Sequence, residues 1–380
     1  MSIKTHAYPH TRRDDTMDCA AGLTFPDPYH WLESESAEVQ QWQTAQNHMA
    51  EQHVQSWPHY QAVKGRVDHA MVGRPALLPQ YAGGQWFRIG SVENRQGVIV
   101  AKTPYGSGRL AYDLATEAED LPLSIPWLSP SPDGSLLAVG VCTDGSENNT
   151  IRLIDLNSGE RLPSPPKQTL MDGWTGGARW LPDNSGFYFQ ALEGNPEHFQ
   201  QRVLFHSLVH NTQTEVQFPQ QDPKGHEYCL VTVSPCGRYH LAFQGLLNTR
   251  PIALLDTAQL ALGWQAFVTH TACVVHGSIV EDRLLAVTDI DAPRGRVVSI
   301  PLNAKAGSNA SEWEELIPES DAVIHSVTPV GDYLYLTEYV DTYSRVRIFD
   351  KRGRYLDEVL LPGRGGVDEP FFPIAELAYR

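Results

Sequence analysis

Serine and histidine are both plentiful in this sequence, with fifteen histidines, so nucleophilic hydrolysis is the first chemistry to look for. The commonest arrangement sets a serine on a sharp strand-to-helix turn, Gly-x-Ser-x-Gly, where its hydroxyl stands beside main-chain N–H groups that receive the oxyanion. No serine here has glycine at both −2 and +2. Ser107, in Tyr105-Gly106-Ser107-Gly108, and Ser146, in Asp144-Gly145-Ser146-Glu147, read as hairpin or loop residues. Metal chemistry has no better footing. There is no His-Glu-x-x-His. His48 and His53 are five residues apart on an expected helix, share no face and read as solvated. Cys19, Cys142, Cys229, Cys236 and Cys273 are scattered, without a CxxC pair, and fit small buried apolar residues better than zinc ligands or a disulfide framework. Glu314-Glu315 and Asp14-Asp15 read as surface charge, and Asp14-Asp15 neutralise Arg12-Arg13. Gly363-Arg364-Gly365-Gly366 lacks the Lys-Ser/Thr helix of a phosphate loop and reads as a connection between units. The residues therefore predict no catalytic group, no metal site and no cofactor within this chain.

What the sequence has instead is a repeat. Strand, tight turn and strand recur with the second turn residue at 84, 134, 185, 237, 282 and 332, at gaps of 50, 51, 52, 45 and 50. Gly83-Gly84 leads into Gln85-Trp86-Phe87-Arg88-Ile89, and Asp133-Gly134 leads into Ser135-Leu136-Leu137-Ala138-Val139. About fifteen residues past most turns comes an alternating run such as Thr150–Leu156, Arg202–Leu208 or Arg345–Asp350, placing one face inward and one toward water. Several of these runs end in turn signals, Asn157-Ser158-Gly159-Glu160 and Lys351-Arg352-Gly353-Arg354 among them. A period near fifty marks a β-propeller of four-stranded blades, each with a buried inner hairpin and a half-exposed outer one. The expected fold is all-β, with blades at 75–125, 126–172, 173–225, 226–270, 271–320 and 321–370. The run Phe371–Tyr379 reads as the first strand of a seventh, so the propeller, 75–380, is expected to be incomplete at its C-terminal end.

Residues 1–74 differ. Ser34 to Val54 holds many helix formers, with Ser36 placed to cap and Glu38 in the first turn. Val39, Trp42 and Met49 fall close to one helical face. A second helix is expected over His59 to Val72, with Pro58 near its first turn. The formal charge of −16 argues against a nucleic-acid partner, whose phosphates it repels. No apolar run approaches the ~18 residues of a membrane span, and the first residues carry no signal-peptide stretch. A cytoplasmic protein is expected.

The N-terminal residues also carry a family signature. Tyr8-Pro9, Arg12-Arg13-Asp14-Asp15-Thr16, the box Asp27-Pro28-Tyr29-His30-Trp31-Leu32-Glu33, Trp42 and Ala45-Gln46-Asn47 closely resemble the opening of the prolyl oligopeptidases. Trp313–Glu319, with Val323-Ile324 and Gly331-Asp332, resembles that family's late blades. A His-Gly pair that often precedes the box is replaced near Ala20-Ala21-Gly22. The resemblance covers the entire chain and implies a serine endopeptidase acting on short proline-containing peptides. In that family a seven-bladed propeller caps an α/β-hydrolase domain carrying the Ser-Asp-His triad, and the N-terminal helices pack on the hydrolase. The resemblance thus implies a hydrolase partner, downstream or in trans, and predicts that this chain alone is inactive. It also implies that Trp174, in Gly173-Trp174-Thr175-Gly176-Gly177, faces the substrate. The helices at 34–72 are expected to expose Val39, Trp42 and neighbouring apolar groups for that partner. The alternative is a stand-alone propeller that binds a peptide or protein without catalysis.

Overall fold

The computed structural model describes residues 8–71, 78–93, 95–117, 123–143, 149–164, 177–195, 198–219, 229–245, 249–270 and 273–367. The chain divides into two compact units, Met1–Arg74 and Pro75–Arg380.

In the first unit, Met17–Ala20 pairs with Leu23–Pro26 as a hairpin, its turn passing through Ala21 and Gly22 at φ 52° and 80°. A 3₁₀ turn, His30–Glu33, and two helices follow, α1 (Ala37–Gln55) and α2 (Tyr60–Met71). Ser36 caps α1 as expected, its side chain accepting from the Val39 N–H at 3.3 Å. The expectation that Val39 and Trp42 are exposed is corrected. Val39 is buried and Trp42 half-buried. The preceding segment folds back over their face of α1. Trp42 Nε1 donates to Thr11 Oγ1 at 2.9 Å, Gln46 Nε2 to the Pro9 carbonyl at 3.4 Å, and Arg12 to Glu38 at 2.9 Å. Trp31 meets Trp42 edge-on at 6.5 Å while Arg12 lies over its own ring face at 4.7 Å. On the helices and their connection, Val54, Trp57, Val63 and Val67 are exposed; on the hairpin, Met17, Leu23 and Phe25 are too.

Among the described residues the second unit holds six four-stranded antiparallel sheets, each with its strands in chain order. The first comprises Gln80–Ala82, Gln85–Val92, Arg95–Ala101 and Gly108–Asp113. The second comprises Leu128–Pro130, Leu136–Val141, Thr150–Asp155 and Arg161–Leu162. The third is Arg179–Trp180, Gly186–Asn195, His198–Ser207 and Thr212–Glu215. The fourth is Cys229–Val233, Tyr239–Gln244, Arg250–Asp256 and Gln265–Ala266. The fifth runs Val275–Val280, Arg283–Thr288, Arg296–Pro301 and Glu314–Ile317, and the sixth Val323–Val330, Tyr333–Val340, Tyr343–Asp350 and Tyr355–Glu358. This is the blade architecture that the repeat predicts. The run Phe371–Tyr379 lies outside the described residues.

The buried inner hairpin and half-exposed outer one expected of each blade are seen in the second sheet, where Leu136–Val141 is largely buried and Thr150–Asp155 alternates. In the second strands of the second to fifth sheets both faces are largely buried, because successive residues serve two different seams between neighbouring sheets. Leu137, Val139 and Val141 pack into the seam between first and second sheets, while Leu136 and Ala138 pack into the next. Phe187 and Phe189 face the second sheet; Tyr188 faces the fourth. Tyr239, Leu241 and Phe243 face the fifth sheet; Ala242 faces the third. Each core cluster therefore straddles a seam, and each fully buried Phe or Leu contributes roughly 1.5–3 kcal/mol of burial there. Polar residues reappear outward: Tyr355–Glu358 is exposed throughout. Of the cysteines, Cys142, Cys229 and Cys273 are buried and Cys19 and Cys236 exposed.

Candidate functional site

Each of the six inner turns passes through the left-handed region. Gly83, Gly134, Asn184, Gly237, Glu281 and Gly331 all have positive φ. Three turns share one build: Gly134 N donates to Ser131 O, Asn184 N to Leu181 O and Gly237 N to Ser234 O, at 2.8–3.0 Å. Consecutive tips touch. The Gly83 N–H donates to Pro132 O at 3.2 Å, and a Cβ on Gly83 would stand 2.0 Å from the Asp133 carbonyl oxygen. Only glycine satisfies both the left-handed φ of 54° and that approach. Gly237 in turn lies against Pro182. Asp133 organises its own tip: burial works against its ionisation, but hydrogen bonds from Ser135 and Ser131 at 2.8 Å hold it below the usual carboxylate range.

Two carboxylates are sequestered by arginines. Glu338 is fully buried and accepts from Arg345 Nε at 3.1 Å and Arg347 Nε at 2.6 Å. Glu117 accepts from Tyr112 Oη at 2.7 Å and from Arg152, with Arg161 at 3.2 Å. Burial opposes its ionisation, and the Arg152 and Tyr112 hydrogen bonds nonetheless hold its carboxyl below the usual range. Such paired charges serve packing, and the lowered Glu117 carboxyl is not held as a general acid. The surface acids behave as read from sequence: Asp14 pairs Arg12, Glu314 pairs Arg283 and Glu315 pairs Arg296, at 3.0–3.1 Å.

The histidines divide by environment. His48 is exposed and bonded to Gln52 at 2.9 Å. His30 Nδ1 lies 3.1 Å from Asp27, and that hydrogen bond, with the charge of Glu33, raises its pKa. Asp18, Asp27 and His30 bring potential ligand atoms within 4.8 Å of one another, and the imidazole nitrogen there is already bonded to Asp27. His206 is buried against Phe187, ring centroids 5.2 Å apart, and burial lowers its pKa. His240 is the most constrained. Its Nδ1 lies 2.8 Å from Tyr188 Oη across the seam between third and fourth sheets, and its Nε2 lies 3.3 Å from Gly237 O. Trp264 closes the same box, stacked edge-on against Tyr188 at 6.5 Å and Phe218 at 4.8 Å. Burial pushes the Tyr188 phenol up and His240 down to about 4.

The sequence reading passed over this pair because its members are 52 residues apart. One signal could have found them. Gln80 to Leu128, Ser129 to Ala178 and His276 to His325 are also hydrogen-bonded across seams, at separations of 48, 49 and 49. Polar residues one repeat apart were the place to look. Trp174 and Ser146 lie outside the described residues. Ser107 sits in the loop beside Gly106, whose N–H donates to Thr103 O at 3.3 Å. Gly365 takes a hydrogen bond from Ser344 N at 2.8 Å, and Arg364 lies over Tyr343 at 5.0 Å, so this glycine-rich loop folds back on the sixth sheet.

Six in-line antiparallel sheets with shared seams match a known family over residues 9–370: prolyl oligopeptidase, N-terminal beta-propeller domain. The chain belongs to this family. A prolyl endopeptidase from Elizabethkingia meningoseptica is 22% identical over 372 residues, covering 94% of this chain and 51% of the relative. A dual function macrocyclase-peptidase, POPB, from Galerina marginata is 25% identical over 393 residues, covering 91% and 52%. A solved prolyl endopeptidase structure, from a study of inter-domain dynamics in catalysis and specificity, superimposes with TM-score 0.75 at 24% identity, over 95% of this chain and 54% of that one. Galerina marginata prolyl oligopeptidase B, bound to a 35mer hydrolysis and macrocyclization substrate, gives 0.70 at 21%, over 93% and 53%. The chain thus spans about half the length of the relatives it matches. No described helix is long and apolar enough to cross a membrane.

Proposed function

We propose that this chain is the propeller-bearing N-terminal part of a serine-type endopeptidase that cleaves short proline-containing peptides. The observation that carries the reading is the match of 9–370 to the prolyl oligopeptidase propeller, by a chain that spans about half of each relative. The propeller's role is a size filter that admits peptides and holds back folded chains. The triad belongs to an α/β-hydrolase domain supplied downstream or in trans, and the first unit packs on it. Val54, Trp57, Val63 and Val67 on α1, α2 and their connection are exposed apolar groups of the kind a docking partner covers. Trp174 faces the substrate, and the protein works in the cytoplasm.

The test is hydrolysis of a Gly-Pro-linked chromogenic peptide. This 380-residue chain alone shows none; the chain joined to a hydrolase domain cleaves after proline. Turnover by the chain alone overturns the reading, and so does a joined enzyme that ignores proline. In the joined enzyme, Trp174→Ala raises KM with little change in kcat.

A further inference from the structure

We propose that the seam between the third and fourth sheets is an acid-sensitive latch, loosened when His240 takes up a proton while the neighbouring seams hold. This inference is independent of the peptidase reading.

The geometry fixes the neutral ring. With Nε2–H donating to the Gly237 carbonyl, Nδ1 accepts from the Tyr188 hydroxyl at 2.8 Å. A proton on Nδ1 puts a donor where a donor already points, so the Tyr188 hydrogen must swing off that line and its oxygen can only accept. Among the described residues the charge meets no counter-ion: burial and the Gly237 carbonyl are what act on the ring. The Tyr188 and Trp264 rings lie 5.5 and 6.4 Å from the imidazole. Tyr188 is the titratable group that meets the ring across the seam, and it stays neutral because burial raises its pKa. On the fourth sheet itself, Leu255 pairs opposite His240 on one side and Val233 on the other. The charged groups next along the chain are engaged elsewhere: Arg238 with Asp256 at 2.9 Å, the Cys236 thiol with Ser234 Oγ at 3.4 Å. An imidazolium here gains its hydration by parting the seam.

The seam carries its own reporter. Cys229 is buried on the same side of the fourth sheet, and its main chain is gripped by Gln201, which accepts from Cys229 N at 2.7 Å and donates to its carbonyl at 3.4 Å. Cys273 is buried in the next seam. Cys19 is exposed.

The experiment is pulse labelling of the 380-residue chain with 4,4′-dithiodipyridine, which reacts with thiols in acid, read peptide by peptide by mass spectrometry and normalised to Cys19. With the closed seam holding His240 near 4 and the open seam near its ordinary 6.5, Cys229 labelling rises about twentyfold between about pH 7 and about pH 5, and Cys273 stays flat. His240→Gln abolishes the rise. A flat Cys229, a parallel rise at Cys273, or a rise that survives His240→Gln overturns the latch. Tyr188→Phe guards against a misfolded His240 variant: it removes the donor that stabilises the neutral ring, so the rise moves to higher pH. An unmoved midpoint overturns the proposal equally.

Discussion

The seam between third and fourth sheets and the seam between fourth and fifth are built from the same strand, yet they are unlike. Along Tyr239–Gln244, Leu241 and Phe243 join Leu230, Phe267 and Val298 on the fifth-sheet side. That side is largely apolar: Trp313 Nε1 is satisfied by the Ala306 carbonyl at 2.9 Å, and the Tyr239 ring lies under the Arg238 guanidinium at 4.7 Å. The other side of the strand buries His240 and Gln244 and meets Tyr188, Gln190 and Gln201. An apolar seam gains from area and tolerates any pH. A polar seam gains geometry, since its partners must align, but it depends on every donor and acceptor staying matched. One strand thus carries two failure modes, one per face.

The comparison breaks most plainly at Phe243, which is 1% exposed. Phe243→Ala costs about 3–5 kcal/mol of unfolding free energy, through lost transfer and the cavity left behind. Denaturant titration shows that loss to be the same at neutral and acidic pH. Acid itself comes next. His240 holds a folded value of about 4, below its unfolded 6.5, so the unfolded chain binds more protons between those values. The His240 contribution is whole above about pH 6.5 and shrinks as the pH falls toward 4, by up to about 3 kcal/mol. Melts of the parent and His240→Gln across that window converge as acid is added; parallel curves would remove the contrast between seams. Gln201→Ala strands the Cys229 N–H, while the carbonyl keeps Gln190 Nε2, and costs about 1–3 kcal/mol, without pH dependence. Tyr188→Phe is the smallest, about 1 kcal/mol at neutral pH, because it removes a single neutral hydrogen bond.

The sheets were legible because their turns need special residues. Gly84, Gly134 and Gly237 each sit where the chain goes left-handed, and the turns at 84, 134, 185, 237, 282 and 332 mark out the blades. Ser36 was legible as a cap for the same reason, a local rule read locally. The seams were not. Tyr239–Phe243 reads as part of a buried inner hairpin, but alternation along it does not say which neighbouring sheet each face meets. Val39 and Trp42 looked like an unpartnered stripe because the segment that covers them, around Pro9 and Thr11, approaches from 28 or more residues away with no periodic signal of its own. His240 escaped because its meaning depends on a tyrosine in another blade.

Because every hydrophobic cluster is shared between two sheets, no blade owns an interior. Excising the third sheet in frame would not subtract one module; it would halve two cores and leave Leu136 and Ala138 on one flank facing Val231 and Ala242 on the other, surfaces never shaped to meet. Gene-level gain or loss of blades is therefore expected to succeed only when the joining faces are rebuilt together, and unfolding to spread from sheet to sheet like a zip rather than pick off units singly.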